Sequence, residues 1–298
     1  MLYFLPAKIL NFYFATSLIK QGSAPKKSEE QSQDRCHINA NKTLAALADG
    51  AGGRGVYVGE WADALLSQLP TEPFDDANAL YQWLIPIATH FFEQYDPIAQ
   101  QHNFTYAKFL DEGSAATLTA AWINPHTQQI NIWLYGDSPF MLLSEQQQQY
   151  QLQMPPSLAQ LRAFSNKTQH LNWNAEHPFE PNHAHQHALA LKQGDTLLLA
   201  TDALAQFILI RYLLSQTNNT QCQQQLTDAL NDNGLQAKLI RANQQFDEPF
   251  ANTLSQLLDT LTETSSTPDN PFKTLLYQWF EHGLIEEDDY SLISIVNA

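Results

Sequence analysis

The chain has 298 residues and a formal net charge of −16, with 15 Lys and Arg residues against 31 Asp and Glu residues. Binding to nucleic acid through its phosphates requires a basic footprint, so this charge balance argues against nucleic acid as a partner. It also argues against docking on an anionic membrane, whereas an apolar fraction of 44% is ordinary for a globular protein with a buried core.

The N-terminus contains a broken apolar run. Pro6 and Lys8 interrupt it, no basic segment precedes it, and a membrane span needs about 20 consecutive apolar residues. We therefore predict neither a signal peptide nor membrane insertion, and we assign Ile9 to Ile19 to a strand that enters the fold. The two cysteines, Cys36 and Cys222, lie outside any metal-binding spacing, and two free thiols in a reducing cytoplasm are favoured over a disulfide.

The first third of the chain predicts a loop, a strand and two helices. A polar loop is expected over residues 20–33, and a buried strand then runs into a tight turn at the glycines of 49–53. Apolar residues at helical spacing predict one helix from Val58 to Leu69 and a longer one from Asp76 to Gln94. Pro86 is expected to kink or split the second helix.

The rest of the chain predicts short strands followed by helices. Three apolar runs joined by turn residues, 115–123, 130–135 and 140–143, indicate an antiparallel meander. A strand is expected at Asp195 to Ala200, and another at Ser291 to Val296. Between them we expect mainly helices, at Leu204–Leu214, Gln221–Asn231, Phe250–Leu261 and Pro271–His282. With no internal repeat or long linker, residues 1–298 are predicted to form a single mixed α+β domain.

Four aspartates share one local context, since each lies at the end of a predicted strand: Asp49, Asp137, Asp202 and Asp288. Carboxylates that rigid strands aim at one point suit Mg²⁺ or Mn²⁺, which prefer oxygen ligands. Two such cations about 4 Å apart could clamp a phosphate and activate a water for in-line attack. Any one of these aspartates taken alone is better explained as an ordinary turn residue, because Asp beside Gly is common in turns.

Taken in order, five segments of the chain resemble the signature blocks of the PP2C (PPM) family of metal-dependent protein phosphatases, in the form found in its bacterial members. Asp-Gly or Gly-Asp-Ser is a weak signal by itself, whereas five blocks in the family's order are specific. The segments are Ser32–Arg35, Ala48–Gly53, Gly113–Thr117 with Tyr135–Ser138, Gly194–Thr196 with Thr201–Leu204, and Asp288–Ser291.

The resemblance implies a four-layer αββα sandwich, in which helices flank two central antiparallel sheets. It also implies hydrolysis of phosphoserine and phosphothreonine in proteins, with two Mn²⁺ or Mg²⁺ ions as cofactors and a third ion in bacterial members. The implied partner is a phosphorylated protein, the target of a Ser/Thr kinase. The helix-rich segment over about residues 203–282 would combine a family helix with variable material. It could recognise substrates or partners, but helices that only pack against the sandwich are favoured for most of it.

The resemblance also implies a role for each matching residue. Asp49 would bridge both metals, the carbonyl of Gly50 would serve one of them, and Asp202 and Asp288 would complete the shell of the other. The attacking group would be a water held by the metals, without a protein nucleophile.

Two further aspartates would lie at the edge of this site. Asp34 would order metal-bound water or ligate directly. Asp137 resembles the position that holds the third ion together with Asp202.

The chain departs from the family pattern at several positions. Gln33 replaces a glutamate, which would weaken the second metal, while Ala203 replaces a glycine and Asp289 stands where the family often has Asn. No arginine aligns with the phosphate-binding arginine of some members, and the candidates for that role are Arg54, Lys26 and Lys27. Gln33 leaves a second interpretation open, in which a catalytically weak or inactive module keeps the fold and binds a partner protein.

A run of histidines between His177 and His187 is the other candidate metal site. His183, His185 and His187 alternate as on one face of a strand, which is conceivable for zinc or nickel. A polar loop that leads into a strand at Ala188 is favoured, because no cysteine or fixed fourth ligand accompanies them.

Overall fold

The structure is a computed structural model, and it describes residues 14–19, 33–124, 126–146, 149–165, 169–232, 234–261 and 271–297. The strands are β1 (Phe14–Ile19), β2 (Arg35–Ile38), β3 (Leu44–Ala48), β4 (Gly50–Gly55), β5 (Ser114–Ala116), β6 (Leu118–Ile123), β7 (Gln129–Tyr135), β8 (Phe140–Gln146), β9 (Gln149–Gln153), β10 (Leu171–Asn172), β11 (Ala184–Ala190), β12 (Thr196–Ala200) and β13 (Leu292–Asn297). The helices are α1 (Val58–Ser67), α2 (Ala77–Ala99), α3 (Asn103–Glu112), α4 (Asp202–Ser215), α5 (Thr220–Asn231), α6 (Leu235–Gln245), α7 (Phe250–Asp259) and α8 (Pro271–Glu281).

Two five-stranded sheets form the centre of the fold. One has the strand order β1-β13-β12-β8-β9 and the other has the order β11-β7-β6-β3-β2. A three-stranded sheet, β10-β5-β4, lies beside them. All of these pairings are antiparallel, so the predicted α+β class with antiparallel sheets is confirmed.

Three apolar clusters give the order of the layers. The first joins Leu47 of β3 to Leu199 of β12 and Ile293 of β13, so it fills the space between the two large sheets. On the outer face of the β3 sheet, a second cluster packs α1, α2 and α3 around Trp61. A third packs α4 to α8 around Phe207 on the outer face of the β12 sheet. The order helices, sheet, sheet, helices matches the sandwich that the resemblance implies.

The predicted helices form with small differences in length. The helix from Val58 ends at Ser67, and the helix predicted over Asp76 to Gln94 continues to Ala99. Pro86 lies inside this unbroken helix and does not split it. The sequence did not predict α3 and α6. In α3 the only fully buried residue is Phe109, so the apolar stripe that would indicate a helix is too weak to recognise. Among the described residues, no helix combines the length and apolar character needed to cross a membrane.

Two predictions about strands are wrong. The meander breaks after β7, because β6 and β7 pair with each other whereas β8 belongs to the other large sheet and pairs with β12 and β9. The run 115–123 is two strands separated by Thr117. That residue leaves the sheet pattern because its N–H donates to the carbonyl oxygen of Asp49.

The predicted glycine turn is also wrong, because residues 50–55 form strand β4, which pairs with β5 through an irregular register. Likewise, the histidine segment differs from the predicted loop. Strand β11 begins at Ala184 rather than Ala188, and His183 lies in a 3₁₀ turn before it, beside Glu180. The three histidines therefore do not share one strand face.

The predictions for the first 33 residues lie partly outside the described residues. Of the strand predicted over Ile9 to Ile19, residues 14–19 form β1, and its earlier part lies outside the described residues. All but the last residue of the loop predicted over 20–33 also lies outside them. Neither Cys36 nor Cys222 takes part in a disulfide, which agrees with the prediction of two thiols.

Candidate metal centre

Antiparallel pairing brings the predicted aspartates to one edge of the sandwich. In the β2–β3 pair, Arg35 faces Ala48, which makes the flanking residues Asp34 and Asp49 neighbours. In the β12–β13 pair, Ala200 faces Leu292, so the segments that carry Asp202 and Asp288 leave the sheet at the same end.

The β6–β7 hairpin positions the fifth aspartate, Asp137. Leu118 faces Tyr135, which places Thr117 beside Gly136 and Asp137. A Cβ built on Gly136 would lie 2.7 Å from Thr117 Cγ2, so the two segments are in close contact. At φ +108° this position also favours glycine.

Electrostatic contacts confirm that the five aspartates converge. The pKa of Asp49 is raised well above its usual value, first by burial and then by its neighbours Asp34, Asp202, Asp288 and Asp137. Two sheets and five chain segments therefore contribute to one acidic centre. No single stretch of sequence contains it.

The acidic centre has two ends, one around Asp34 and the other around Asp202 and Asp137. At one end, burial followed by Asp288 and Asp289 raises the pKa of Asp34 to about 8. A hydrogen bond between the side chains of Asp34 and Asp49 acts in the opposite direction and lowers the pKa of Asp34, but burial and the two charges outweigh it.

At the other end, burial followed by Asp137 and Asp288 raises the pKa of Asp202 well above its usual value. Glu286 lies on this side as well, and burial and then Asp288 raise the pKa of its carboxyl. Glu286 is the first of four consecutive acids, 286–289, a pattern that by itself indicates only a solvated turn.

Buried hydroxyl groups hold the backbone on which these aspartates stand. The N–H of Thr117 donates to the carbonyl oxygen of Asp49 at 2.8 Å, and Thr117 Oγ1 accepts the N–H of Asp49 at 3.0 Å. The same Oγ1 lies 2.9 Å from Oγ of Ser138, next to Asp137. Thr117 therefore fixes Asp49 and links it to the Asp137 segment.

A second pair of this kind holds the β12 and β13 ends together. The N–H of Thr201 donates to the carbonyl oxygen of Ser291 at 3.1 Å, and the N–H of Ser291 donates to Thr201 Oγ1 at 3.0 Å. These reciprocal bonds fix the separation of the segments that carry Asp202 and Asp288. Thr201 also hydrogen-bonds Asp34, so it joins both ends of the centre.

The residues present fit a cation. Asp34 is 1% exposed, and its Oδ2 has no hydrogen-bond partner among the residues that the structure describes. A buried carboxylate oxygen without a donor is costly, and a divalent cation would satisfy it while cancelling the repulsion between the neighbours. Across the described part of the chain, no group of three or more His, Cys, Asp or Glu side chains is arranged so that it could hold a metal ion as it stands, so cation binding would require these aspartates to draw closer together.

The side chain of Arg35 fixes the backbone at Asp34. Its Nε donates to Asp63 Oδ2 at 2.6 Å and its guanidinium donates to the Asp34 carbonyl oxygen at 2.9 Å. Arg54, the predicted phosphate-binding residue, lies on β4, but its side chain is outside the description, as are Lys26 and Lys27. The phosphate-binding assignment therefore stays a prediction.

Gly50 is required by a close approach between backbones. A Cβ at this position would lie 2.7 Å from the carbonyl oxygen of Gln33 and 3.1 Å from the carbonyl of Val58. Gly50→Ala is therefore expected to push the Gln33–Asp34 segment away from Asp49, to lower the melting temperature and to weaken Mn²⁺ binding about tenfold.

The matched control for Gly50→Ala is Gly53→Ala on the same strand, where a Cβ would meet nothing within 4 Å. Isothermal titration with Mn²⁺ and thermal melts of both variants measure the effect. Equal Mn²⁺ affinity in the two variants would contradict the close-approach argument.

No protein-family model matches the chain, and no curated protein matches it either. Similar solved structures include the serine/threonine phosphatase of S. agalactiae, at 16% identity and a TM-score of 0.48, with 96% of this chain and 100% of that chain covered. The Mycobacterium tuberculosis serine/threonine phosphatase PstP/Ppp is 14% identical with a TM-score of 0.48, covering 96% and 99%.

A third similar structure is PppA of Pseudomonas aeruginosa, described as a key regulatory component of T6SS. It is 15% identical with a TM-score of 0.49, covering 96% of this chain and 98% of that chain. Because identities and TM-scores are low, we base the function on the aspartates of this chain and their contacts.

Proposed function

We propose that the chain is a metal-dependent protein phosphatase of the PP2C (PPM) type, which hydrolyses phosphoserine and phosphothreonine in proteins with Mn²⁺ or Mg²⁺. The observation that carries the proposal is the convergence of five aspartates from both sheets at one edge of the sandwich, around Asp49. These are the residues that the PP2C resemblance singles out. We assign the whole chain to one domain, in which helices α4 to α8 of the segment 203–282 form the layer over the β12 sheet.

Two cations are the proposed cofactors. Asp49 is affected by the aspartates of both ends and would help to hold both ions, while the Gly50 carbonyl would help to hold one of them. Asp202 and Asp288 would complete one shell, Asp34 would serve the other, and Asp137 with Asp202 would hold a third ion. When bound, the ions would neutralise the charge of a phosphate and lower the pKa of the water that attacks phosphorus.

The chain's own residues supply the geometry for this chemistry. Thr117 and Thr201 fix the backbone of both ends, so the carboxylates are held in place before the ions bind. The N–H of Ala203 donates to Asp202 Oδ1 at 2.6 Å, and the N–H of Asp289 donates to Asp288 Oδ1 at 2.8 Å. Each of these bonds orients one carboxyl.

The substrate would be a protein that a Ser/Thr kinase has phosphorylated. The direct test is phosphate release from phosphoseryl and phosphothreonyl peptides by the purified chain, with Mn²⁺, with Mg²⁺ and with excess chelator. We expect turnover that requires the metal and is at least about 100-fold above the chelated sample. A phosphotyrosyl peptide of the same sequence is the control for the substrate class.

Turnover that survives chelation would overturn the two-metal mechanism. Absence of turnover on every phosphopeptide, in protein shown to bind Mn²⁺, would instead favour a partner-binding module.

A further inference from the structure

Asp289 is a buried acid to which the proposed mechanism gives no role. It is 5% exposed, although it lies in an acidic turn that the sequence marks as a surface feature. Its Oδ2 accepts the backbone N–H of Gln33 at 2.7 Å, across 256 residues of sequence. Its Oδ1 is buried and has no hydrogen-bond partner among the described residues.

The neighbour of Asp289 is Asp34, which is in the same situation. After burial and Asp288, the negative charge of Asp289 is the next cause that raises the pKa of Asp34, which shows that the two carboxyls repel each other. Asp34 Oδ2 is also buried without a partner in the described part of the chain. Two neighbouring carboxyls, each with one buried and unsatisfied oxygen, destabilise the fold unless a cation or protons compensate them.

We propose that Asp289 is a further residue of the metal centre, which holds the Gln33–Asp34 backbone through Oδ2 and adds its negative charge to the cation bound at the Asp34 end. Asp289 is thus a positioning residue, and this inference rests on the proposed cation site. It does not depend on which phosphoprotein is the substrate.

The distribution of charge explains why this end needs another carboxylate. The opposite end contains Asp137, Asp202 and the additional acid Glu286. Gln33, at the Asp34 end, is an amide and supplies no charge. Asp289 stands directly against the Gln33 backbone and provides a charge that the side chain at position 33 lacks.

The test is titration of the metal-free full-length chain with Mn²⁺, comparing wild type with Asp289→Asn. Asparagine keeps the shape and the acceptor for the Gln33 N–H but removes the charge. One buried charge that acts on a divalent cation is expected to change affinity about tenfold or more, so Asp289→Asn should bind Mn²⁺ about tenfold more weakly. The matched control, Glu287→Gln, removes an exposed acid from the same turn and should bind within about twofold of wild type.

Thermal melts separate this role from a purely structural one. If Asp289 supplies charge, the metal-free Asp289→Asn chain melts at or above the wild-type temperature, and the rise in melting temperature on adding Mn²⁺ becomes smaller. Unchanged Mn²⁺ affinity, whatever the metal-free melting temperature, would show that the charge of Asp289 plays no part in the cation site, and would overturn the inference.

The inference and the proposed function fail in different ways. If wild type itself does not bind Mn²⁺, the proposed metal-dependent function is lost together with the role of Asp289. If wild type binds Mn²⁺ and Asp289→Asn binds it equally well, only the role of Asp289 is lost.

Discussion

Asp49→Asn is expected to lower metal-dependent turnover by roughly 10³-fold, while the metal-free protein becomes more stable than wild type. The negative charges of all four other site aspartates act on the carboxyl of Asp49. Its loss therefore removes the group that is shared between the two ends of the centre. The same loss relieves repulsion inside a desolvated cluster, which stabilises the fold when no cation is present. A substitution that merely damaged packing would lower both quantities.

Turnover of p-nitrophenyl phosphate at saturating Mn²⁺ and thermal melts in chelator measure the two effects. Asp259→Asn at the exposed end of α7 is a control that removes one acid far from the centre, and we expect it to leave both quantities near wild type. An Asp49→Asn protein as active as wild type would contradict the assignment of the bridging residue.

The free energy of unfolding of the metal-free chain is expected to fall as pH rises from about 5 to 8. Asp34 has a pKa of about 8 in the folded chain against an ordinary value of 3.8, and the pKa values of Asp49 and Asp202 are shifted in the same direction. In this interval the folded chain therefore binds more protons than the unfolded chain. Raising the pH removes those protons and leaves buried carboxylates that repel each other.

Saturating Mn²⁺ is expected to reverse this trend, because the cation competes with the protons and binds better as they leave. At a free metal concentration of 100 Kd, the stabilisation is about 2.7 kcal/mol, enough to raise the melting temperature by several degrees. Denaturant unfolding at several pH values, with chelator and with Mn²⁺, measures both curves. Metal-free stability that rises steadily from pH 5 to 8 would contradict the raised pKa values of the cluster.

Local sequence patterns predict the places where the aspartates stand, because apolar runs mark the strands and the aspartates follow or precede them. Asp49 after β3 and Asp202 after β12 are of this kind. The contacts among them are not local. The bond between Asp49 and Thr117 spans 68 residues, and nothing in either segment alone indicates the other.

The sequence is misleading where tertiary contacts reverse a local preference. Residues 50–55 have the composition of a turn, yet they form strand β4 because they pair with β5, which lies about 60 residues further along the chain. Asp289 lies in a run of four acids that resembles a solvated turn, and only the fold shows that it is buried. The chain also crosses from the β3 sheet at β7 to the β12 sheet at β8. This crossing depends on packing between the two sheets, which short-range sequence patterns do not predict.

The division of the aspartates between the sheets has a mechanical consequence. Asp49 and Asp137 adjoin strands of the β3 sheet, whereas Asp202 and Asp288 adjoin β12 and β13 of the other sheet. Under the proposed function, cations shared by these groups would cross-link the two halves of the sandwich at this edge. Loss of metal would thus allow the sheets to slide against each other at that edge, and cleavage by an added protease should begin there first.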